Sequence, residues 1–420
     1  MTGRLANWAG NVTFRARQLH QPASVGELRR LVAAQERIRA IGTRHSFSPI
    51  ADAPGELVSL DRLPPLIEIN PGRTDVTVSA GLRYSQLVPR LHAAGLALRN
   101  LASLPDICIA GAVATGTHGS GDASGSLATA VSAIELVTAD GDITRASRDS
   151  DPGRFAGMVV ALGALGIITR LTLDTVPAFD ARQYVYENLP AAELAAHFGE
   201  ITARARSVSL FTDWRAPRLR QVWLKSMPSD APPPPRWLGA SRAAGPRHPV
   251  PGMPPANCTE QLGAAGPWHE RLPHFRPGVT PSTGAELQSE YLVAREHAVE
   301  AFWVLDGMRD KLAPLTQIAE IRTVAADDLW LSPSYQRDCA AFHFTWISDG
   351  RAVGAVLPEV EAALAPFGAR PHWGKLFAAG PAAVAALYPR LDDFRQLARD
   401  LDPAGKFRNE MLDRYIPIRG

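Results

Sequence analysis

Cysteine is scarce in this 420-residue sequence, with only Cys108, Cys258 and Cys339 present. An odd number at wide spacing excludes a disulfide framework and a cysteine-ligated metal site, and fits reduced thiols in the cytosol. Charge of one sign is also lacking. Lys and Arg total 44 against 42 Asp and Glu, a net +2, which argues against nucleic acid or an anionic membrane as partner. No apolar run approaches the ~20 residues of a membrane span. The opening MTGRLANWAGNVTFRARQLH has no apolar h-region, so no secretory leader is expected. The familiar nucleotide fingerprints are missing too. No G-K-[ST] occurs, and Gly116, Gly119 and Gly121 run G-x-x-G-x-G, not G-x-G-x-x-G. P-loop and Rossmann folds therefore fit poorly. The expectation is a soluble, cytoplasmic, monomeric protein with no bound metal, too long for a single core.

The elements present are mixed. Ser24 and Glu27 make a capping box before the stripe Leu28, Leu31, Val32, predicting a helix that stops near Gln35. RIRAIG (37–42) reads as a strand, as do 66–69 and 74–80, with a helix over 84–94. Residues 100–129 are rich in Gly, Ala, Ser and Thr, so this backbone can approach a ligand closely. Residues 130–146 predict a hairpin turning at Asp140-Gly141, and 163–177 a turn and strand. Beyond 182, longer strands mix with helices near 190–202, 295–310 and 353–365. The segment 227–255 holds ten prolines. It predicts an extended surface excursion that joins neither sheet nor helix. DPAGKF (402–407) predicts a turn followed by a short extended tail.

A dinucleotide cofactor needs backbone N–H groups aimed at its pyrophosphate. IGTRHSFS (41–48) and ATGTHGSG (114–121) are the two stretches able to supply them. With RAIGTRHSFSPIAD, LASLPDICIAGAVATGTHGSG, GALGIITRLTL and DPAGKFRNEML, the chain resembles the vanillyl-alcohol oxidase type of flavoprotein, and within it the alditol and sugar-lactone oxidases. The resemblance implies an α+β fold. An FAD-binding domain would span 1–177, an antiparallel-sheet substrate domain 178–370, and a segment 371–420 would return to the active site. It implies FAD joined covalently to His45, where an imidazole at the flavin edge is a good nucleophile. It puts Ile41, Gly42, Thr43, Arg44, Ser46 and Phe47 in the pyrophosphate cradle. Ala102, Ser103, Gly111, Ala114, Thr115, Gly116, Thr117, His118 and His372 would surround the cofactor, and Gly166 and Ile167 its adenosine side.

Three strand-like segments each carry polar residues two apart: Gln288 and Glu290, Glu320 and Arg322, His343 and Thr345. Such pairs share one strand face. They read equally as solvent faces or as one polar ligand wall. In the alditol oxidases, residues matching Ser103, Gln288, Glu320, Arg322, Thr345 and Lys375 line the pocket above the flavin. The resemblance thus implies oxidation of the terminal hydroxyl of a polyol such as xylitol or sorbitol to the aldose, with dioxygen reduced to hydrogen peroxide. A sugar-1,4-lactone oxidase or dehydrogenase is the alternative. Arg322 and Lys375 would stabilise a developing alkoxide. Glu320 would pair with Arg322, and either Glu320 or His343 would take the proton.

Overall fold

The computed structural model describes residues 5–281 and 284–418. Its first part holds three small sheets, one of them the two-stranded pair Leu96–Ala97 and Val176–Pro177. A parallel three-stranded sheet orders Leu19–His20, Glu56–Ser59 and Ile38–Ile41. An antiparallel five-stranded sheet orders Ile67–Ile69, Asp75–Ser79, Ile167–Asp174, Val131–Val137 and Ile143–Ser147. The expected hairpin is its last pair, and Gly141 at φ +82 makes the turn that only glycine adopts without strain. The first helix, Val25–Ala34, starts where the cap predicts, with Ser24 accepting from the Glu27 amide.

The second part is built on a ten-stranded sheet whose pairings are all antiparallel. Its long strands lie in the order Asp180–Pro190, Arg218–Ser226, Ser207–Thr212, Thr316–Val324, Cys339–Ile347, Glu286–Ala294. Helices Ala298–Asp306 and Gly350–Leu364 cover one face. There Leu287, Tyr291, Ile321, Phe342 and Phe344 pack with Phe302, Val353 and Val360. Burying each such side chain is worth about 1.5–3 kcal/mol. That leaves the alternate residues of the same strands for the opposite face.

Two expectations need correction. The proline-rich segment does join the sheet: Arg236–Trp237 and Ala240–Arg242 form short strands at its outer edge. An edge strand needs a ladder on one side only, so flanking prolines are tolerated there. The tail after 407 is helical over Glu410–Tyr415, because the Asn409 side chain accepts from the Leu412 amide and caps it. Among the described residues, no helix is long and apolar enough to cross a membrane.

Candidate active site

A cavity of about 320 Å³ is lined by loops of the first part and strands of the second, a size typical of small-molecule and cofactor sites. The loop after the Ile38–Ile41 strand contributes Ile41, Gly42, Thr43, Arg44, His45, Ser46 and Phe47 to its lining. Arg44 sits at φ +64, a turn geometry in which successive amides form a concave donor surface. Among the described residues, the N–H groups of residues 43–46 donate to no protein acceptor. A Cβ on Gly42 would lie 3.0 Å from Cys108 Cβ, so glycine is what lets the two loops meet. These features fit an anionic cofactor laid on bare amides. His45 Nδ1 lies 2.9 Å from Thr43 Oγ1, and its ring stacks on Trp8. Desolvation, then the charge of Lys375, push the His45 imidazole down to about 4. It is therefore neutral, and nucleophilic, at pH 7.

Ala102, Ser103, Gly111, Ala114, Thr115, Thr117, His118, Gly166 and His372 line the same cavity. Two expected residues do not. Gly116, at φ +71, faces Pro333. Ile167 is buried in a core with Leu28, Val32 and Phe407. Strand alternation turns its neighbour Ile168 to the cavity instead.

The three polar strands that line the cavity are neighbours in register. Glu290 pairs with His343 and His343 with Glu320, while Gln288 pairs with Thr345. Glu290 is 2% exposed and Arg322 7%, so this is a wall inside the protein and not a solvent face. The expected Glu320–Arg322 pair is not the main one. Arg322 Nη2 donates to Glu290 at 2.6 Å, whereas its Nε stands 3.7 Å from Glu320. Glu320 instead accepts from His274 Nε2 at 2.8 Å. Burial works to raise both carboxyls. Arg322, helped by His118 and His343 at Glu290 and by His274 at Glu320, outweighs it and holds both well below the usual carboxylate range. Burial lowers His343, which stays neutral.

Lys375 arrives from the opposite side of the Glu286–Ala294 strand. Its segment runs alongside, with the His372 amide on Glu290 O and the Leu376 amide on Gln288 O. Its ammonium donates to Gln288 Oε1 and lies 5.0 Å from the Phe47 ring centroid. Desolvation pushes it down to about 8. The Phe47 amide donates to Gly374 O and the Ser48 hydroxyl to Trp373 O, so the His45 loop and the Lys375 loop are fastened together. Two buried polar atoms at the wall lack a hydrogen-bond partner among the described residues, Glu286 Oε2 and Arg322 Nε, while His118 Nε2 and His343 Nδ1 face Glu290 at 3.1 and 3.4 Å. Buried polar atoms are normally satisfied, so the wall matches a ligand rich in hydroxyls.

Residues 16–147 match the model of the FAD binding domain family, and residues 285–415 that of the D-arabinono-1,4-lactone oxidase family. Over 417 residues the chain is 51% identical to the alditol oxidase of a Streptomyces species, covering 98% of this chain and 99% of that protein. The chain belongs to the alditol oxidase family. It is an FAD-dependent oxidoreductase. A more distant relative is the L-gulono-1,4-lactone dehydrogenase of Mycobacterium tuberculosis, 26% identical over 98% of each chain. The cholesterol oxidase of B. sterolicum superposes with a TM-score of 0.80 at 17% identity, covering 98% of this chain and 96% of that one. It shares the vanillyl-alcohol oxidase-type α+β fold.

Within this alditol oxidase family site, sequence reasoning missed Glu286, His274, Phe211, Pro249 and Val250, all of which line the cavity. Glu286 was legible, being two residues before Gln288 on the same strand face. Glu290 was legible as a wall residue, but its pairing with Arg322 was not. His274, Pro249 and Val250 sit in irregular segments, where no periodicity announces which way a side chain points.

Proposed function

We propose that this protein oxidises the terminal primary hydroxyl of alditols such as xylitol and sorbitol to the aldose, with FAD tethered covalently on His45 and dioxygen reduced to hydrogen peroxide. The observation that carries the substrate class is the three-stranded polar wall, with its buried and partly unsatisfied groups. On this reading residues 1–177 hold the cofactor, 178–370 form the substrate domain and 371–420 return Lys375 and His372 to the site. A monomer in the cytosol is the accompanying reading, supported by three unpaired, buried cysteines.

Bound FAD supplies the two-electron acceptor. The cradle of residues 41–47 and the loop from Ala102 to His118 would hold it. His45, neutral at pH 7, has the lone pair that a covalent tether requires. The protein residues manage the hydroxyl. An alcohol is a weak acid, so fixed cations aimed at the nascent alkoxide lower the barrier most. Arg322 serves this role, its charge kept by Glu290 and Glu320 against the cost of burial, with Lys375 beside it. Both carboxylates stay ionised and tightly paired, which makes them weak bases. His343, neutral and lining the cavity beside the paired carboxylates, is the group to take the proton. Gln288, Thr345, Ser103 and Glu286 would hold the remaining hydroxyls. Substrates lacking those hydroxyls would leave buried groups unpaired and be rejected.

A panel of C4–C6 alditols with a peroxide readout tests the reaction. Peroxide from xylitol or sorbitol is expected. No peroxide from any alditol, together with turnover of an aldono-1,4-lactone, would establish the lactone oxidase reading. Comparing an artificial acceptor with and without oxygen separates oxidase from dehydrogenase. Acid precipitation tests the tether: the yellow colour should stay with the wild-type chain and leave with the supernatant in His45→Ala. Colour in the wild-type supernatant would exclude covalent attachment.

A further inference from the structure

Behind Glu320 lies a buried polar chain that the reaction above does not use. Lys225, on the Arg218–Ser226 strand, is fully enclosed. Its ammonium donates to Leu272 O, to Pro273 O at 2.9 Å, and to His274 Nδ1 at 3.1 Å. An ammonium has three N–H groups, and here each has one acceptor. His274 Nδ1 must then be the lone-pair side of its ring, which places the ring proton on Nε2. That Nε2–H points to Glu320 Oε1 at 2.8 Å. Trp223 and Phe211 meet the His274 ring edge to face, at 5.1 and 5.6 Å between centroids, which locks its plane. Ser209 Oγ is 3.4 Å from Nε2.

We infer that Lys225 and His274 form a positioning chain in which Lys225, remote from the substrate, holds the His274 ring from behind and so keeps its Nε2–H aimed at Glu320. Glu320 then keeps one oxygen pinned and its other oxygen turned toward Arg322 and the cavity. Without the Lys225 ammonium, the carbonyls of Leu272 and Pro273 lose their donor. His274 Nδ1 loses its donor as well, so the ring is no longer fastened from behind. The ring can then turn, and Glu320 loses its fixed donor. The role of Glu320 in the site is that of the proposed alditol reaction, on which this inference rests.

Three variants of the whole flavoprotein test it. Lys225→Met keeps the volume and removes the charge. His274→Gln keeps both an acceptor toward Lys225 and a donor toward Glu320, while His274→Leu keeps neither. Lys225→Met and His274→Leu should lower kcat/KM on the best alditol by about 10- to 100-fold, the worth of one hydrogen bond to a charged group. His274→Gln should recover most of that loss. The tautomer is read directly by long-range nitrogen-15 NMR of labelled histidines at pH 6, with the His274 signal assigned by its absence in His274→Gln. Burial pushes Lys225 down to about 7, so at pH 6 it is mostly charged. Wild type should show the proton on Nε2. An Nδ1–H tautomer in wild type would overturn the inference, as would Lys225→Met with an unchanged rate. If Lys225→Met does not fold, the wild-type tautomer and the His274→Gln against His274→Leu comparison decide alone. If wild type oxidises no alditol, the alditol reading fails, and the same comparison is made on whichever substrate it does turn over.

Discussion

Glu290 is the residue on which most of the wall depends. It accepts from Arg322 at 2.6 Å, and His118 Nε2 and His343 Nδ1 lie 3.1 and 3.4 Å from its oxygens. Removing one partner of a buried pair leaves an uncompensated charge and costs about 3–5 kcal/mol. Glu290→Gln is therefore expected to lower the denaturation midpoint clearly, and kcat/KM by roughly 100-fold as Arg322 loses its anchor. An unchanged urea midpoint would show that Arg322 finds another partner. Lys375 carries a pH prediction. Desolvation lowers its pKa to about 8, and the charged form is the one that stabilises an alkoxide. The rate should therefore hold below that value and fall as pH rises through it. In Lys375→Arg the guanidinium cannot titrate in this range, so the alkaline fall should move upward in a pH profile of kcat/KM.

Among the elements, the loop over 119–125 ties cofactor and substrate sides together. The Gly121 amide donates to Thr323 O, Gly121 bridges Val324, and the Ala325 amide donates to Ser124 O. The loop thus extends along the strand that carries Arg322. Gly121 has φ +138, and a Cβ there would stand 2.4 Å from Arg206 O. Gly121→Ala is expected to destabilise by at least about 1–3 kcal/mol from the backbone conformation alone. The shift of the Arg322 strand should raise KM for the alditol. A melting temperature within a degree of wild type would show the loop to be more compliant than its contacts suggest.

For the whole molecule, burying neutral histidines makes stability depend on acid. Burial lowers His274 to about 4 and His372 to about 3, against about 6.5 in an unfolded chain. Between those values the unfolded chain binds protons that the folded one refuses, so stability falls as pH drops from about 6.5 toward 4. Glu286 works the other way. Burial raises it to about 7, so over roughly 4.5 to 7 the folded state binds the extra proton and acidification favours folding. The lowered histidines (His45, His248, His269, His274, His343 and His372) outnumber the raised carboxyls (Glu286, Asp327, Glu361 and Asp402), which predicts a net loss of stability from pH 6.5 to 5. Urea midpoints of the holoprotein at those two pH values measure it, and an equal or higher midpoint at pH 5 would contradict it.

Much of the cofactor end was legible in the sequence by itself. Local rules sufficed there: a capped helix, a short strand and a turn rich in small and hydroxyl residues set His45 and its neighbours without reference to the rest of the chain. Gly116 and Ile167 do not line the cavity because of facing, which depends on what packs beneath. The polar pairs of the substrate strands were legible too, because a two-residue period is a property of the strand alone. Only the tertiary structure decided that the three pairs stand side by side, that Glu290 and not Glu320 holds Arg322, and that His274 reaches Glu320 from an irregular segment. Strand order and register are fixed by burial of Leu287, Ile321 and Phe342 against helices elsewhere in the chain. A buried charge pairs with whichever partner that packing brings nearest, and neither fact is written in local sequence.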